Sequence, residues 1–201
     1  MKGGPTERVR NLMRRRGLVR PRDLEKAGLP TSVLYRLRDR GEVEQIGPGL
    51  FQHPDATITE KHTFAEAAKL VPAGVVCLLS ALAFHEMGTQ VPHEVWLALR
   101  AHSKRPTMSA LPLRIVWFSG RAFTEGIETH HVEGVKVRVY SPAKMIADLF
   151  KYRNKVGVDI AVEALRDAWS RRLVTADEIL RFARICRVEK VVRPYLEAMV
   201  S

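Results

Sequence analysis

The chain has 201 residues, a formal net charge of +11 and a sequence pI near 10.1. With 46% hydrophobic and 27% charged residues it can bury a core, which excludes wholesale disorder. Its longest apolar stretch, residues 74–84, is too short and too interrupted to cross a bilayer, and no charged and apolar leader opens the chain. We therefore expect a soluble cytoplasmic protein of one large or two small domains, with no membrane partner.

The positive charge is concentrated at the N-terminus. Residues 1–40 hold twelve Lys and Arg against four acidic residues, a net of +8, whereas the remaining residues have a net of +3. A basic module of this kind fits a polyanionic partner, although a solvated charged surface has the same composition. Cys77 and Cys186 share no metal-ligand spacing, which predicts two reduced core thiols and no metal site.

The first 55 residues have the pattern of three short helices followed by a hairpin. Apolar stripes, early acidic residues and closing glycines predict helices over residues 6–16, 21–27 and 31–40. Two short strands then flank Gly47-Pro48-Gly49, a turn sequence typical of a hairpin. This order predicts a winged helix-turn-helix domain over residues 1–55, whose third helix enters the major groove of DNA. An ordinary helical subdomain is the alternative.

The predicted third helix has an apolar face, with Val33, Leu34 and Leu37, and an opposite face that is polar and includes Asp39. Residues that can hydrogen-bond to base edges are expected there or at the helix start: Thr31, Ser32, Tyr35 and Arg36. In particular, Arg36 can donate two hydrogen bonds to guanine. Flanking arginines are expected to contact phosphates, which position a protein without specifying sequence: Arg20, Arg22, Arg38 and Arg40.

Residues 60–201 predict an α+β domain with a small sheet and a C-terminal helical bundle. A helix over residues 60–71 carries Thr63 and Glu66 at capping-box spacing. The run 75–79 fits a strand or a helix, and Ser80 is expected to cap a helix that follows. Strands are predicted over 94–99, 113–118, 127–132 and 135–140, in a mixed or antiparallel sheet. Further helices follow Ser141, cover 158–171, extend from a Thr175–Glu178 capping box to about Arg187, and cover 189–200.

The motifs that could carry catalysis are incomplete. His85-Glu86 and His93-Glu94 each lack the second histidine of a zinc protease helix. Ser141-Pro-Ala-Lys144 has Ser-x-x-Lys spacing without its companion motifs, so Ser141 is interpreted as a helix cap. We therefore expect no enzyme activity, no catalytic residues, no metal and no cofactor.

The stretch 150–159 is basic and aromatic. Its residues fit a helix C-terminus, where cations complement the helix dipole and Gly157 ends the turn. They also fit a surface that binds a partner or nucleic acid, formed by Lys151, Tyr152, Arg153 and Lys155.

Several of these segments resemble a known family. Residues 17–25 (GLVRPRDLE), 28–30 (GLP), 34–37 (LYRL), 41–44 (GEVE) and 49–51 (GLF) are similar to the N-terminal winged helix of AbiEi-type antitoxins. These belong to bacterial abortive-infection, type IV toxin–antitoxin operons, which act in phage defence. Residues 141–144 (SPAK), 148–153 (DLFKYR) and 155–157 (KVG) resemble the C-terminal domain of the same family. Pro48 departs from the family, whose wings usually carry a basic residue there, so the recognition helix has to contribute more of the binding.

The resemblance implies two roles. The N-terminal domain would repress its own operon by binding inverted repeats in double-stranded promoter DNA, and the domain over residues 60–201 would antagonise a cognate nucleotidyltransferase toxin, generally without a stable complex. Lys151, Tyr152, Arg153 and Lys155 are the expected antitoxin residues. Because heptads are absent, we expect a monomer in solution that pairs on DNA. The alternatives are a regulator with a ligand-sensing C-terminal domain and a DNA-targeted nucleic-acid-modifying enzyme.

Overall fold

The structure, a computed structural model, describes residues 4–56, 58–106 and 111–200. These residues form two compact units. Unit 1 comprises residues 4–72 with Pro106, Leu111 and His131–Val137, and unit 2 comprises residues 73–105, 112–130 and 138–200. Unit 1 is therefore larger than the predicted DNA-binding domain. Across the described residues, every helix falls short of the length and apolar character that a bilayer crossing demands.

Unit 1 begins with the helices and the hairpin that the sequence predicts, close to their predicted bounds. A strand of two residues between the first two helices was not predicted. In chain order the elements are α1 Pro5–Arg16, β1 Leu18–Val19, α2 Pro21–Lys26, α3 Thr31–Asp39, β2 Glu44–Gly47, β3 Leu50–Gln52 and α4 His62–Leu70. The strands form an antiparallel sheet with β3 in the centre, where Phe51 is in register with Val19 on one side and Gln45 on the other.

The core of unit 1 follows the predicted apolar stripes. Val9 and Met13 of α1 are fully buried, and Leu12 packs at the edge of the same cluster. From α3, Val33, Leu34 and Leu37 enter the core, joined by residues of the other elements: Val19, Leu24, Leu29, Val43 and Phe51. Each fully buried side chain of this size contributes about 1.5–3 kcal/mol. Burial of one face of α3 leaves its other face outward.

Helix α4 begins differently from the prediction. The Thr63–Glu66 capping box is wrong, because the helix begins at His62 and Thr63 lies exposed in its first turn. Glu133 instead binds the segment that leads into the helix: its Oε1 accepts hydrogen bonds from the Thr59 amide at 2.7 Å and the Thr59 hydroxyl at 3.0 Å. Its Oε2 lies 2.7 Å from His62 Nδ1. A later stretch of chain therefore holds Thr59 and the His62 ring beside the start of α4.

Unit 2 has the predicted α+β composition. Its elements, the last two strands of which reach into the residues of unit 1, are β4 Val75–Val76, α5 Leu78–Phe84, β5 Val95–Arg100, β6 Leu113–Phe118, α6 Gly120–Thr124, β7 Ile127–Val132, β8 Val135–Tyr140, α7 Pro142–Lys151, α8 Arg153–Val156, α9 Val158–Ser170, α10 Ala176–Ile185 and α11 Glu189–Val200. The predicted strands and the later helices are confirmed.

The sheet is small and mixed, with the strand order β6-β5-β4-β8-β7. Strand β4 pairs antiparallel with β5 and parallel with β8, and β5 pairs parallel with β6. The apolar run that begins at Val75 thus divides into a two-residue strand and a helix, which settles the ambiguity at residues 75–79.

Ser80 does not cap the helix, contrary to the prediction. The helix begins at Leu78, two residues before Ser80, and Cys77 occupies its N-cap position. Ser80 is fully buried inside the helix. The Ser80 hydroxyl accepts a hydrogen bond from the Trp96 amide at 2.9 Å and donates to the Glu94 carbonyl at 3.4 Å. Its role is to join α5 to the start of β5.

The caps of the later helices follow local sequence. Thr175 Oγ1 accepts from the Glu178 amide at 3.3 Å, and Glu178 Oε2 accepts from the Thr175 amide at 2.8 Å. The predicted capping box of α10 is therefore confirmed. Ser141 occupies the N-cap position of α7 as predicted, but its side chain makes no capping hydrogen bond.

Candidate nucleic-acid interface

The outer face of α3 presents polar side chains to solvent. Ser32 and Arg36 are exposed, Tyr35 keeps 39% of its surface exposed, and Thr31 is half-buried at the helix start. These four residues, predicted to face bases, lie on the same helix. Their side of the helix is turned outward because Val33, Leu34 and Leu37 bury the opposite face. Within the described part of the chain, Arg36 makes no hydrogen bond or ion pair, so its guanidinium keeps all its donors available.

Tyr35 and Arg38 connect α3 to the β2–β3 hairpin. The Tyr35 ring meets the Phe51 ring edge-on at 5.4 Å between centroids. Arg38 donates from Nη1 to Gln45 Oε1 at 2.9 Å, and from Nε and Nη2 to Asp39 Oδ1 at 2.9 and 2.7 Å. Its guanidinium also lies 5.3 Å from the centre of the Tyr35 ring. The negative charge of Asp39, which would repel a phosphate, is thereby paired.

The predicted phosphate contacts differ in what their guanidinium groups already bind. Arg40 is exposed, and its guanidinium makes no hydrogen bond or ion pair with the described residues. Arg22 is also exposed, and its guanidinium makes a single long hydrogen bond, of 3.4 Å, to the Lys69 carbonyl. Arg20 is half-buried and donates to the same carbonyl at 2.7 Å. Arg22 and Arg40 can therefore reach a ligand without giving up a short internal hydrogen bond.

The turn of the β2–β3 hairpin is exposed at Pro48. Gly49 follows with φ +62°, a conformation that suits glycine, and the pairing of the strands is irregular between Gln45 and Gly47. The turn contributes neither a charge nor a side-chain donor at Pro48.

Exposed arginines of α1 add to the charge of unit 1, although sequence reasoning gave them no role. Arg8, Arg14 and Arg15 lie outside the buried stripe and, among the described residues, bind no acidic group. Arg10 differs, since it pairs with Glu42 at 2.6 Å. The signal that could have identified the three arginines was their position off the apolar stripe.

The four predicted antitoxin residues cluster where α7 ends and α8 begins. Lys151 Nζ donates to the Cys186 carbonyl at 3.0 Å, and Arg153 donates to the Phe150 carbonyl at 2.9 Å. Tyr152 is half-buried, and burial raises the pKa of its hydroxyl. Lys155 is exposed, with Nζ 5.6 Å from the centre of the Tyr152 ring.

These contacts support both interpretations of the cluster. Lys151 and Arg153 complement carbonyls, as cations at a helix end do. Lys151 and Lys155 are nevertheless exposed, so each can meet a partner.

A buried ionic group lies one turn earlier on α7. Lys144 has no exposed surface, and its Nζ lies 2.5 Å from Asp148 Oδ2 and 4.1 Å from the centre of the Tyr140 ring. Cys186 Sγ donates to Asp148 Oδ1 at 3.2 Å. Burial raises the pKa of Asp148 although Lys144 opposes the shift. The Lys of the Ser-x-x-Lys spacing is thus held in an ion pair inside the core, and both cysteines are buried free thiols, as predicted.

These features define a two-unit protein whose basic first unit exposes the polar face of α3. Residues 7–54 match the family described as "Transcriptional regulator, AbiEi antitoxin". The resemblance to AbiEi-type antitoxins is therefore confirmed over α1 to β3, and it supports a role as an antitoxin and regulator. A search of curated proteins finds no match for the chain.

Proposed function

We propose that the protein is an antitoxin and transcriptional autorepressor, in which unit 1 is a winged helix-turn-helix that binds inverted repeats in the promoter of its own operon. The supporting observation is that the residues matching the antitoxin regulators include the exposed face of α3, where the Arg36 guanidinium has no partner among the described residues. An arginine held on a helix with all its donors available suits bidentate recognition of guanine. The proposed repressor role requires no catalysis and no cofactor.

In this proposal α3 enters the major groove and the β2–β3 hairpin lies beside the DNA backbone. Thr31, Ser32, Tyr35 and Arg36 read base edges, and a good bidentate contact from Arg36 is worth about 1–3 kcal/mol of discrimination. Phosphate contacts come from Arg22 and Arg40, and from Arg38 if a phosphate replaces its surface pairing with Asp39. An exposed pair of this kind contributes only about 0–1 kcal/mol, so a phosphate can displace it.

Unit 2, in this proposal, counteracts a cognate nucleotidyltransferase toxin through Lys151, Tyr152, Arg153 and Lys155, without a stable complex. Lys155 is the sharpest probe because it is exposed and its ammonium makes no hydrogen bond with the described residues. Lys155→Ala should weaken the rescue of cells that express the toxin while leaving thermal unfolding unchanged. Full rescue by a folded Lys151→Ala, Lys155→Ala double variant would assign the cluster to helix termination alone.

The DNA-binding proposal is tested by titrating the purified protein against its own upstream region and against random DNA, over a range of salt concentrations. Arg36→Ala should lose more affinity for the promoter than for random DNA, because only the promoter offers the base contact. Arg40→Ala, at the C-cap position of the same helix, is the matched control and should weaken both alike, with a salt slope smaller by about 0.9. Equal losses on both DNAs for Arg36→Ala would overturn its base-reading role.

A further inference from the structure

Arg20 lies at the junction of α2 and α4. It is the N-cap residue of α2, and its side chain is directed to the last turn of α4. Nη1 donates to the carbonyl of Lys69 at 2.7 Å and to the carbonyl of Leu70, the last residue of α4, at 3.4 Å. Carbonyls in the last turn of a helix have no partner inside the helix, so Arg20 satisfies acceptors that would otherwise be open.

A second set of bonds closes the same junction from the other side. Lys69 Nζ lies 2.8 Å from Asp23 Oδ2, and the two side chains are only 13% and 14% exposed. The same Asp23 oxygen accepts from the Arg20 amide at 2.9 Å, which caps the start of α2. Burial raises the pKa of Asp23, but the hydrogen bonds from Lys69 and the Arg20 amide outweigh it and lower the pKa overall. Arg20, Asp23 and Lys69 thus form a closed ring of polar contacts, here called the α2–α4 clasp.

The clasp is at odds with a phosphate contact by Arg20. To reach a phosphate, its guanidinium would have to leave the α4 carbonyls, and this would leave those acceptors without a protein partner. Arg22, two residues on, is exposed and has only a 3.4 Å bond to give up. In helix-turn-helix proteins the first helix of the motif crosses the DNA backbone, so the orientation of α2 matters for binding.

We propose that Arg20 is a positioning residue of the DNA-binding unit, which fixes α2 through helix α4 and makes no phosphate contact itself. The proposal rests on the proposed DNA-binding function, and it makes α4 a working part of the DNA-binding module. It also predicts that Lys69, to which the proposed function gives no DNA contact, affects binding through the same clasp.

The test compares Arg20→Ala with Arg22→Ala in the full chain, by promoter binding over a salt series. Arg20→Ala should lose affinity by about tenfold, the order expected for one broken hydrogen-bond network, with the salt slope of wild type. Arg22→Ala should reduce the slope by about 0.9. Binding is measured where thermal unfolding shows each variant to be folded. Unchanged affinity of folded Arg20→Ala would mean that the clasp serves stability alone, and a slope reduced by about 0.9 would make Arg20 a phosphate contact.

A double-variant cycle adds a second measurement, the coupling between two substitutions in their effect on promoter affinity. A loss of global stability alone does not produce such a coupling in folded variants. Lys69→Met should lose affinity at an unchanged slope, and combining it with Arg20→Ala should cost less than the product of the two separate losses, because both break one clasp. Combining Lys69→Met with Arg22→Ala should instead give a loss of affinity equal to the product of the two separate losses. Multiplicative losses for Arg20→Ala with Lys69→Met would overturn the proposal.

If Arg20→Ala does not fold, Arg20→Lys replaces it. Lysine retains a charge for phosphate, but its side chain is shorter than that of arginine and holds its ammonium short of the position from which Nη1 donates to both carbonyls, so a positioning role predicts lower affinity and a phosphate role predicts wild-type affinity. Failure of the proposed function is separately visible, since wild type would then bind the promoter and random DNA alike. The slopes on random DNA would still decide between the two roles of Arg20.

Discussion

The buried ion pair of α7 gives the most demanding prediction about stability. Lys144→Met keeps a side chain of similar length against Tyr140 but leaves the Asp148 carboxylate, which is 1% exposed, without its cation. Removing one partner of a buried pair costs about 3–5 kcal/mol, because the other charge remains desolvated. At roughly 2–4 °C per kcal/mol for a chain of this size, the melting temperature of unit 2 should fall by roughly 6–20 °C.

Removing both charges should reverse most of this loss. In Lys144→Met with Asp148→Leu, no charge remains in the core at this position, and replacing a buried pair by apolar residues is often neutral or stabilising by about 1–4 kcal/mol. We therefore expect the free energy of unfolding of the double variant to lie within about 1 kcal/mol of the wild-type value, or above it. The single variant should also regain stability as the pH falls through the raised pKa of Asp148, because burial raises that pKa and a protonated carboxyl carries no charge to desolvate.

The assay is urea unfolding followed by tryptophan fluorescence. All three tryptophans, Trp96, Trp117 and Trp169, lie in unit 2, so their signal reports on the unit that holds the pair. Free energies come from linear extrapolation to zero urea. The reasoning is refuted if Lys144→Met unfolds within about 1 kcal/mol of wild type at pH 7, or if the double variant is no more stable than the single one.

Two further predictions concern hydrogen bonds between distant segments. Glu133→Gln should lower the stability of unit 1 at pH 7, since burial raises the pKa of Glu133 but the bonds from Thr59 and His62 lower it overall. A carboxylate whose pKa is lowered by folding stabilises the folded state at pH values above its unfolded pKa of 4.5, and this stabilisation is lost as the pH falls further. The difference in unfolding free energy between wild type and Glu133→Gln, measured by circular dichroism during urea unfolding, should therefore narrow as the pH falls below about 4.5. Ser80→Ala should cost about 1–3 kcal/mol by leaving the buried Trp96 amide without its acceptor. Fluorescence-monitored unfolding indistinguishable from wild type would contradict this.

Local patterns made much of the fold predictable. The stripe of Val33, Leu34 and Leu37 gave both the helix and its buried face, because neighbours three and four residues apart share a side. The capping box of Thr175 and Glu178 was found for the same reason, since all its bonds lie within four residues. The exposed face of α3, and with it the base-facing candidates, follows directly from that burial.

Long-range partners account for what the sequence could not reveal. Ser80 has the chemistry of a cap, but its hydroxyl binds a strand sixteen residues away. Thr63 has the right spacing to Glu66, yet the helix begins at His62, and the segment before it is held by Glu133, 74 residues from Thr59. Arg20 was assigned to phosphates because it is a cation near the predicted motif, and its carbonyl partner lies 49 residues further on. In each case a polar group has several possible partners, and only tertiary packing selects one.

The interrupted course of unit 1 along the chain has a consequence for its synthesis. The ribosome adds 58 residues between Pro72 and His131 before the stretch that carries Glu133 is made. At about 5–20 residues per second this interval lasts roughly 3–12 s. During that time Thr59 and His62 lack the carboxylate that binds them in the finished protein. Unit 1 is therefore translated early but completed late, and a nascent chain that stalls before residue 133 carries it in an unfinished form.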